Sequence, residues 1–184
     1  MYNVQYNTHS AGIRVKLEAA GRTMLEEMRA TEGTVALDGN VILHVLEANP
    51  DGQRPTKGST VKVAYHGTLP DGTVFDSTLG AEPVTFAIGQ VIPGWRTALL
   101  KMHEGEIAMM GIPPEQAYGT DGTPDGLIPG GSTLFFKVEL IEVLTAAIGG
   151  TPSLFGGDGL KLGKKGKPVG ASALLGTDGK PLIS

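Results

Sequence analysis

The sequence predicts an α+β fold, in which many short strands accompany a single short helix. Two features of the hydrophobic pattern lead to this prediction. Apolar and polar residues alternate in successive segments between residues 41 and 143, which is typical of half-buried strands. Among these segments, only residues 92–102 place apolar residues at helical spacing. Several strands with one short helix between them favour the α+β class.

The first predicted element is a helix over residues 11–30, after ten residues that we expect to be unstructured. Its apolar residues are three or four positions apart, which is helical spacing. They are Ile13, Leu17, Ala20, Met24 and Met28, and Leu25 widens the stripe. Two interpretations stay open. The helix either lies on its own domain or forms a dimer or partner contact.

Six strands and one helix follow. Alternation predicts the strands at residues 41–48, 61–67, 74–76, 84–88, 107–112 and 134–143. The helix over residues 92–102 begins around Pro93, which suits a first helical turn, and ends before Gly105. Residues 113–131 are rich in Gly and Pro, so we expect a loop there.

These elements divide the chain into three parts. They are an N-terminal extension with its amphipathic helix over residues 1–33, a domain over 34–144 and a C-terminal tail over 145–184. Ten of the forty tail residues are Gly, and the tail also carries five Lys. Such a segment cannot bury a core of its own. We expect it to be either disordered or extended along another surface.

Composition excludes several classes of function. The 184 residues carry a formal net charge of −4, and the tail's five Lys and two Asp leave −7 for residues 1–144. Phosphate binding needs a basic face, so nucleic acid is excluded as the main partner. The absence of Cys excludes disulfides, thiolate metal sites and Cys nucleophiles. No apolar run predicts a membrane span, and the polar N-terminus lacks the pattern of a signal peptide. The compartment stays open, with the cytoplasm as the default and a processed, organelle-targeted form as the other possibility.

Motifs for metal, phosphate or nucleophilic chemistry are also missing from the sequence. The four His residues, at positions 9, 44, 66 and 103, are not spaced as zinc ligands. Residues 159–165 have the wrong glycine spacing for a phosphate loop, and residues 121–132 lack the closing Glu of a calcium loop. There is no G-x-S-x-G motif. We therefore expect neither a metal nor another cofactor.

A series of motifs, ordered and correctly spaced, spans residues 35–144. In chain order they are VKVAYHGTL at 61–69, DGTVFDS at 71–77, FAIGQVIPGW at 86–95, IPPEQAYG at 112–119, Ile-Pro at 128–129 and LFFKVEL at 134–140. With them, the chain resembles the FKBP-type peptidyl-prolyl cis-trans isomerase (rotamase) family. The helix at 11–30 is similar to the segment that precedes the catalytic domain in members of the macrophage-infectivity-potentiator type.

The resemblance implies a fold and a pocket. The fold would be a twisted antiparallel sheet wrapped around one short helix. Trp95 would form the floor of an apolar pocket, with Asp76 at its rim and Ile128 on a flexible lip. The Tyr118 hydroxyl and the Ile92 N–H would donate hydrogen bonds to substrate carbonyls. The catalytic residues implied in this way are Tyr65, Phe75, Asp76, Ile92, Trp95, Tyr118 and Phe136, and the substrate-binding residues are Phe86, Val91, Ala117, Leu127 and Ile128.

The resemblance also implies an activity, the rotation of X–Pro bonds in proline-containing polypeptides, together with roles in protein folding and macrolide binding. A water-poor apolar pocket favours a twisted amide over a planar one, so no proton transfer or covalent intermediate is needed. The absence of a catalytic His or Ser fits this chemistry. The alternative is an FKBP-like structural or interaction subunit of a larger assembly, with little or no catalytic role.

Departures from the family pattern affect the pocket wall and its lip. The family often has an aromatic residue where this chain has Val84, so one wall would be thinner. The loop over residues 119–128 is about one residue longer than usual. Gly130 and Gly131 follow Pro129, where a second Pro is common. We expect a more mobile lip and an altered substrate preference.

The strand at 107–112 departs from the family on its outer face. Alternation turns positions 108, 110 and 112 inward and leaves Ile107, Met109 and Gly111 outward, where the family usually has basic or polar residues. An exposed Ile and Met side by side indicate a covered surface. We predict that Ile107 and Met109 bind a partner, which the N-terminal helix, the tail or another protein could supply. Lys at both positions should weaken any complex, as co-purification would show.

Overall fold

The structure is a computed structural model that describes the backbone of residues 4–144 and the side chains of residues 12–144. The predictions for residues 1–3 and for the tail over 145–184 lie outside the described residues. The helices are α1 (Val4–Ala30) and α2 (Pro93–Leu99), and the strands are β1 (Thr34–Ala36), β2 (Ile42–Glu47), β3 (Thr60–Thr68), β4 (Val74–Ser77), β5 (Val84–Ala87), β6 (Ile107–Ile112) and β7 (Leu134–Leu144).

The seven strands form one antiparallel sheet in the order β1-β2-β6-β7-β3-β4, and β5 also pairs with β3. Its centre is β7, which pairs with β6 on one side and with β3 on the other. One row of paired residues crosses four strands from Met110 through Phe136 and Gly67 to Asp76. This register brings residues that are far apart in sequence to the same end of the sheet.

The α+β prediction is confirmed, and the core lies between the inner face of the sheet and α2. All six predicted strands are present, and their ends differ from the prediction by at most one residue. The inward positions of β6, Ala108, Met110 and Ile112, are fully buried, as alternation predicts. Helix α2 is shorter than predicted, although Met102 beyond its end is also buried against the same core.

Helix α1 lies on the outer face of the sheet along the C-terminal part of its length. Leu25 packs with Ile42 of β2 and Phe135 of β7 in a second, smaller cluster. Gly111 of β6 permits this approach, because a Cβ there would lie 2.6 Å from Cδ2 of Leu25. The interpretation that the helix lies on its own domain therefore holds for this part. Ile13, nearer the N-terminus of the helix, is exposed.

Three expectations need correction. Residues 4–10 were expected to be unstructured, but α1 begins at Val4. These residues contain no Gly or Pro, and extending an existing helix needs no new nucleus. Strand β1 was not predicted, because three residues are too few to show alternation. Ile107 and Met109, expected to be exposed, are partly buried on the outer face, and α1 covers that face at Gly111, which is one of the covers that the sequence analysis allowed.

In the described part of the chain, no helix has the length and apolar character needed to cross a membrane.

Candidate active site

Trp95 lies at the centre of an aromatic cluster between the sheet and α2. Its ring centroid is 5.2 Å from that of Tyr65, 5.2 Å from that of Phe136 and 5.9 Å from that of Phe86. All three pairs meet edge to face, which is a favourable arrangement for aromatic quadrupoles. Phe75 extends the cluster, with its ring centroid 5.4 Å from that of Phe136. The five predicted aromatic residues other than Tyr118 are therefore in one place.

Glycine residues permit the close packing around this cluster. A Cβ at Gly67 of β3 would lie 2.8 Å from the rings of both Phe75 and Phe136, so only Gly lets the two rings approach across β3. A Cβ at Gly94 would overlap Ile112 of β6, so Gly94 lets the first turn of α2 lie directly on the sheet. That contact fixes the depth of Trp95. Neither glycine was among the predicted site residues, and only their place inside the motifs gave a signal.

The start of α2 presents a free backbone donor beside the cluster. Ile92 is the N-cap residue and has an extended backbone, and Pro93 occupies the first helical position. The Ile92 carbonyl accepts from the N–H of Arg96 at 3.2 Å. The Ile92 N–H donates no hydrogen bond to any described residue. A partly buried donor of this kind is available to a ligand.

Tyr65 and Asp76 form a hydrogen bond at the rim of the cluster. The Tyr65 hydroxyl donates to Oδ2 of Asp76 at 2.6 Å. Burial, and then the nearby Asp76 carboxylate, raise the pKa of Tyr65 above its ordinary value. The phenol therefore stays protonated. The backbone of Tyr65 is held by Thr78, whose Oγ1 accepts from the Tyr65 N–H at 2.8 Å. Thr78 is a positioning residue that the sequence analysis did not identify.

Tyr118 differs from Tyr65, because its buried hydroxyl has no hydrogen-bond partner among the described residues. Burial raises the pKa of Tyr118, and the carboxylates of Asp76 and Asp125 raise it further. The hydroxyl is therefore a neutral donor. Leaving a buried polar group unsatisfied costs about 1–3 kcal/mol, which a ligand carbonyl would offset. The indole Nε1 of Trp95 is likewise buried and unpartnered.

The loop after Tyr118 forms an ordered lip beside the cluster. The Thr123 N–H donates to the Ile128 carbonyl at 2.9 Å, and the Ile128 N–H donates to Oγ1 of Thr123 at 3.0 Å. Ile128 lies on this lip, where the resemblance implied it, and is buried against the core. Leu127 is 60% exposed, so it lies at the solvent edge of the lip. The expected mobility of the lip remains a prediction.

The remaining predicted residues fall into two groups. Val91, Ile92, Ala117 and Tyr118 pack on the same core as the aromatic cluster. Ile107 and Met109 lie on the opposite face of the sheet, in register with Glu139 and Lys137 of β7. No group of three or more His, Asp or Glu side chains within residues 12–144 is arranged to hold a metal ion.

Comparison with known proteins gives the chain its family. A family model described as FKBP-type peptidyl-prolyl cis-trans isomerase matches residues 52–141. FK506-binding protein 2 of Aspergillus fumigatus is 46% identical over 104 residues, which cover 54% of this chain and 74% of that protein. This chain belongs to the FKBP-type peptidyl-prolyl cis-trans isomerase family. The resemblance noted in its motifs is thereby confirmed.

Bacterial FKBP-type proteins are also similar. The outer membrane protein MIP of Legionella longbeachae is 41% identical over 131 residues, covering 71% of this chain and 55% of that protein. FkpA of Escherichia coli K12 is 39% identical over 130 residues, covering 70% of this chain and 47% of that protein. The chain thus spans about half the length of these two curated relatives.

Solved structures confirm the FKBP-like fold. A peptidyl-prolyl cis-trans isomerase from Pseudomonas syringae pv. tomato superposes with a TM-score of 0.64 at 35% identity, covering 71% of this chain and 95% of that one. The crystal structure of FkpA from Escherichia coli gives a TM-score of 0.68 at 35% identity, covering 77% of this chain and 65% of that one.

Proposed function

We propose that this chain accelerates cis–trans rotation about X–Pro bonds in polypeptide substrates, and that the proline ring binds against Trp95. The observation that carries the proposal is the combination of an aromatic cluster with a buried, unpartnered Tyr118 hydroxyl at its edge. Family membership supports the same reaction.

The reaction needs no reactive side chain. Rotation about a peptide bond crosses a barrier of about 18–20 kcal/mol because the amide loses its resonance at the twisted geometry. The twisted amide has a less negative oxygen and a more basic nitrogen than the planar amide. A pocket with little water therefore destabilises the planar form relative to the twisted one, which is the differential binding that catalysis requires.

The donors at the pocket edge have a separate role. The Tyr118 hydroxyl and the Ile92 N–H would each hold a substrate carbonyl, so that one side of the X–Pro bond is fixed while the other rotates. Asp76 would act through its 2.6 Å hydrogen bond with Tyr65, which fixes the Tyr65 ring beside Trp95. Asp76 is therefore proposed as a positioning residue as well as a rim residue.

A matched pair of variants on β7 tests the proposal. Phe136→Leu alters the inner, pocket face, whereas Phe135→Leu alters the neighbouring residue on the outer face, beneath α1. Both remove a buried ring, so similar losses of stability are expected. In an isomerisation assay on a proline tetrapeptide, we expect kcat/KM to fall at least tenfold in Phe136→Leu only.

Two results would contradict the proposal. The first is a wild-type protein that does not accelerate the isomerisation of any proline peptide. The second is an equal loss of activity in both variants, since this would mean that general destabilisation, and not the pocket, determines the rate. Circular dichroism of each variant at the assay temperature shows whether it is folded.

We also propose limits for the domain and a second candidate function, that of an interaction subunit. The isomerase domain would span residues 34–144, with residues 1–33 and 145–184 as extensions. Ile107 and Met109 favour a role as an interaction subunit. Helix α1 covers the outer face of β6 at Gly111, whereas these two residues on the same face are partly exposed. That these two residues bind a partner remains a prediction.

A further inference from the structure

Two segments frame the pocket, and both are acidic. Residues 71–92 run from the turn before β4 to the start of α2, and residues 113–136 form the lip and the start of β7. Together they contain no Lys, Arg or His. Their carboxylates are Asp71, Asp76, Glu82, Glu115, Asp121 and Asp125. These segments therefore carry −6 of the −7 formal charge of residues 1–144.

Part of this charge lies at the pocket mouth itself. Asp76 is bonded to the Tyr65 hydroxyl at 2.6 Å. Asp125 lies on the exposed side of the lip, where its Oδ1 accepts from the Leu127 N–H at 3.1 Å. The lip that carries Asp121 and Asp125 is tied to the site by hydrogen bonds, because the Gly122 N–H donates to the Tyr118 carbonyl at 3.1 Å and the Thr123 N–H donates to the carbonyl of the buried Ile128 at 2.9 Å. The ion pairs between described side chains involve none of the six carboxylates.

A neutral apolar pocket with an acidic mouth discriminates between substrates by charge. Several like charges around a cleft with low-dielectric walls raise the local concentration of cations and the rate at which they associate. The ring-binding pocket defines the ligand independently of these charges, since a proline ring is uncharged. The charges therefore affect the residues that flank the proline.

We propose that the pocket prefers X–Pro substrates that carry Lys or Arg within two residues of the proline, and discriminates against Asp or Glu there. This inference rests on the proposed isomerase function and assigns Asp121 and Asp125 as specificity-determining residues. The preferred sequence class also occurs in this chain, at Lys167-Pro168 and Lys180-Pro181. A peptide of residues 163–172 is therefore a suitable probe.

Three tetrapeptides that differ in one residue test the preference: Ala-Lys-Pro-Phe, Ala-Gln-Pro-Phe and Ala-Glu-Pro-Phe. Exchange NMR on the full chain gives kcat/KM for each, and quenching of the fluorescence of Trp95, the sole Trp, gives the affinity. At low ionic strength we expect kcat/KM and affinity to be higher for the Lys peptide than for the Glu peptide, by about two- to five-fold for each carboxylate near the bound Lys side chain. The ratio should approach one in about 1 M salt, where the Debye length is about 3 Å.

Matched variants locate the effect. The double variant Asp121→Asn/Asp125→Asn should lower the Lys-to-Glu ratio. Asp51→Asn should leave it unchanged, because Asp51 is exposed in the loop that packs on Glu104 and Gly105, outside the two segments that frame the pocket. The probe peptide of residues 163–172 should bind more tightly than its Lys167→Glu form.

The outcomes separate this inference from the proposed function. A Lys-to-Glu ratio of one at low salt, or one that the double variant does not change, overturns the inference even if all three peptides isomerise faster. A different result is that the protein accelerates the isomerisation of none of the three peptides, while the wild type, but not the double variant, binds the Lys peptide more tightly than the Glu peptide. In that case the charge preference stands and the proposed catalysis fails. Equal binding of all three peptides overturns the preference.

Discussion

Two tyrosine hydroxyls at the pocket differ in what they bond to. Tyr65 donates to the Asp76 carboxylate at 2.6 Å, whereas the buried hydroxyl of Tyr118 has no partner among the described residues. The same side-chain type therefore has two uses. The Tyr65 hydroxyl stabilises the folded protein, and under the proposed function the Tyr118 hydroxyl would donate to a ligand.

The two Phe substitutions should therefore have opposite effects. Tyr118→Phe removes a group without an internal partner, so we expect unchanged or raised stability and a loss of about two- to twelve-fold in kcat/KM, as one neutral hydrogen bond contributes. Tyr65→Phe breaks an existing bond to a carboxylate and should lower the free energy of unfolding by about 1.5–3 kcal/mol. Urea unfolding and the isomerisation assay measure both quantities. A Tyr118→Phe variant that is less stable yet fully active would show that this hydroxyl has a structural role.

At the scale of elements, the contact between α1 and β6 shows what periodicity can and cannot predict. Alternation correctly assigned the faces of β6, because one face of the sheet is buried and a strand's side chains alternate. It could not show that Leu25 of α1 covers Gly111, since this contact joins residues 86 positions apart. The sequence therefore indicated a covered outer face but left open whether α1, the tail or another protein covers it.

Gly111 should be a steric requirement for the packing of α1. Gly111→Val adds a side chain where even a Cβ would lie 2.6 Å from Leu25, and overpacking of this kind costs about 1–3 kcal/mol. Gly58→Val is the matched control, because Gly58 has no atom within 4 Å of a Cβ position. Urea unfolding should show a clear loss for Gly111→Val only.

A variant of α1 tests the same contact by urea unfolding. Leu25→Ala leaves room for the new valine, so the double variant should lose less stability than the sum of the two single variants. Additive losses, or a Gly111→Val variant as stable as wild type, would mean that α1 does not pack on β6.

For the whole molecule, the aromatic cluster was predictable in its members but not in its geometry. The motifs identified the aromatic residues, yet Tyr65 and Phe136 are 71 positions apart and meet only through the pairing of β3 with β7. The glycines that permit the close packing of the cluster, Gly67 and Gly94, have no side chain to give a chemical signal. The resemblance implied Leu127 as a substrate-binding residue, but its place at the solvent edge follows from the folded lip.

The central claim is that the rings of Trp95, Tyr65 and Phe136 form a site for a proline ring. Because the chain has a single Trp, NOEs from the indole protons of Trp95 are unambiguous. In a complex with a proline tetrapeptide, we predict NOEs from these protons to the Cβ, Cγ and Cδ protons of proline, with those proline signals shifted upfield by the aromatic rings. Proline signals that do not shift while the peptide is bound, with no NOE to the indole, would contradict the account.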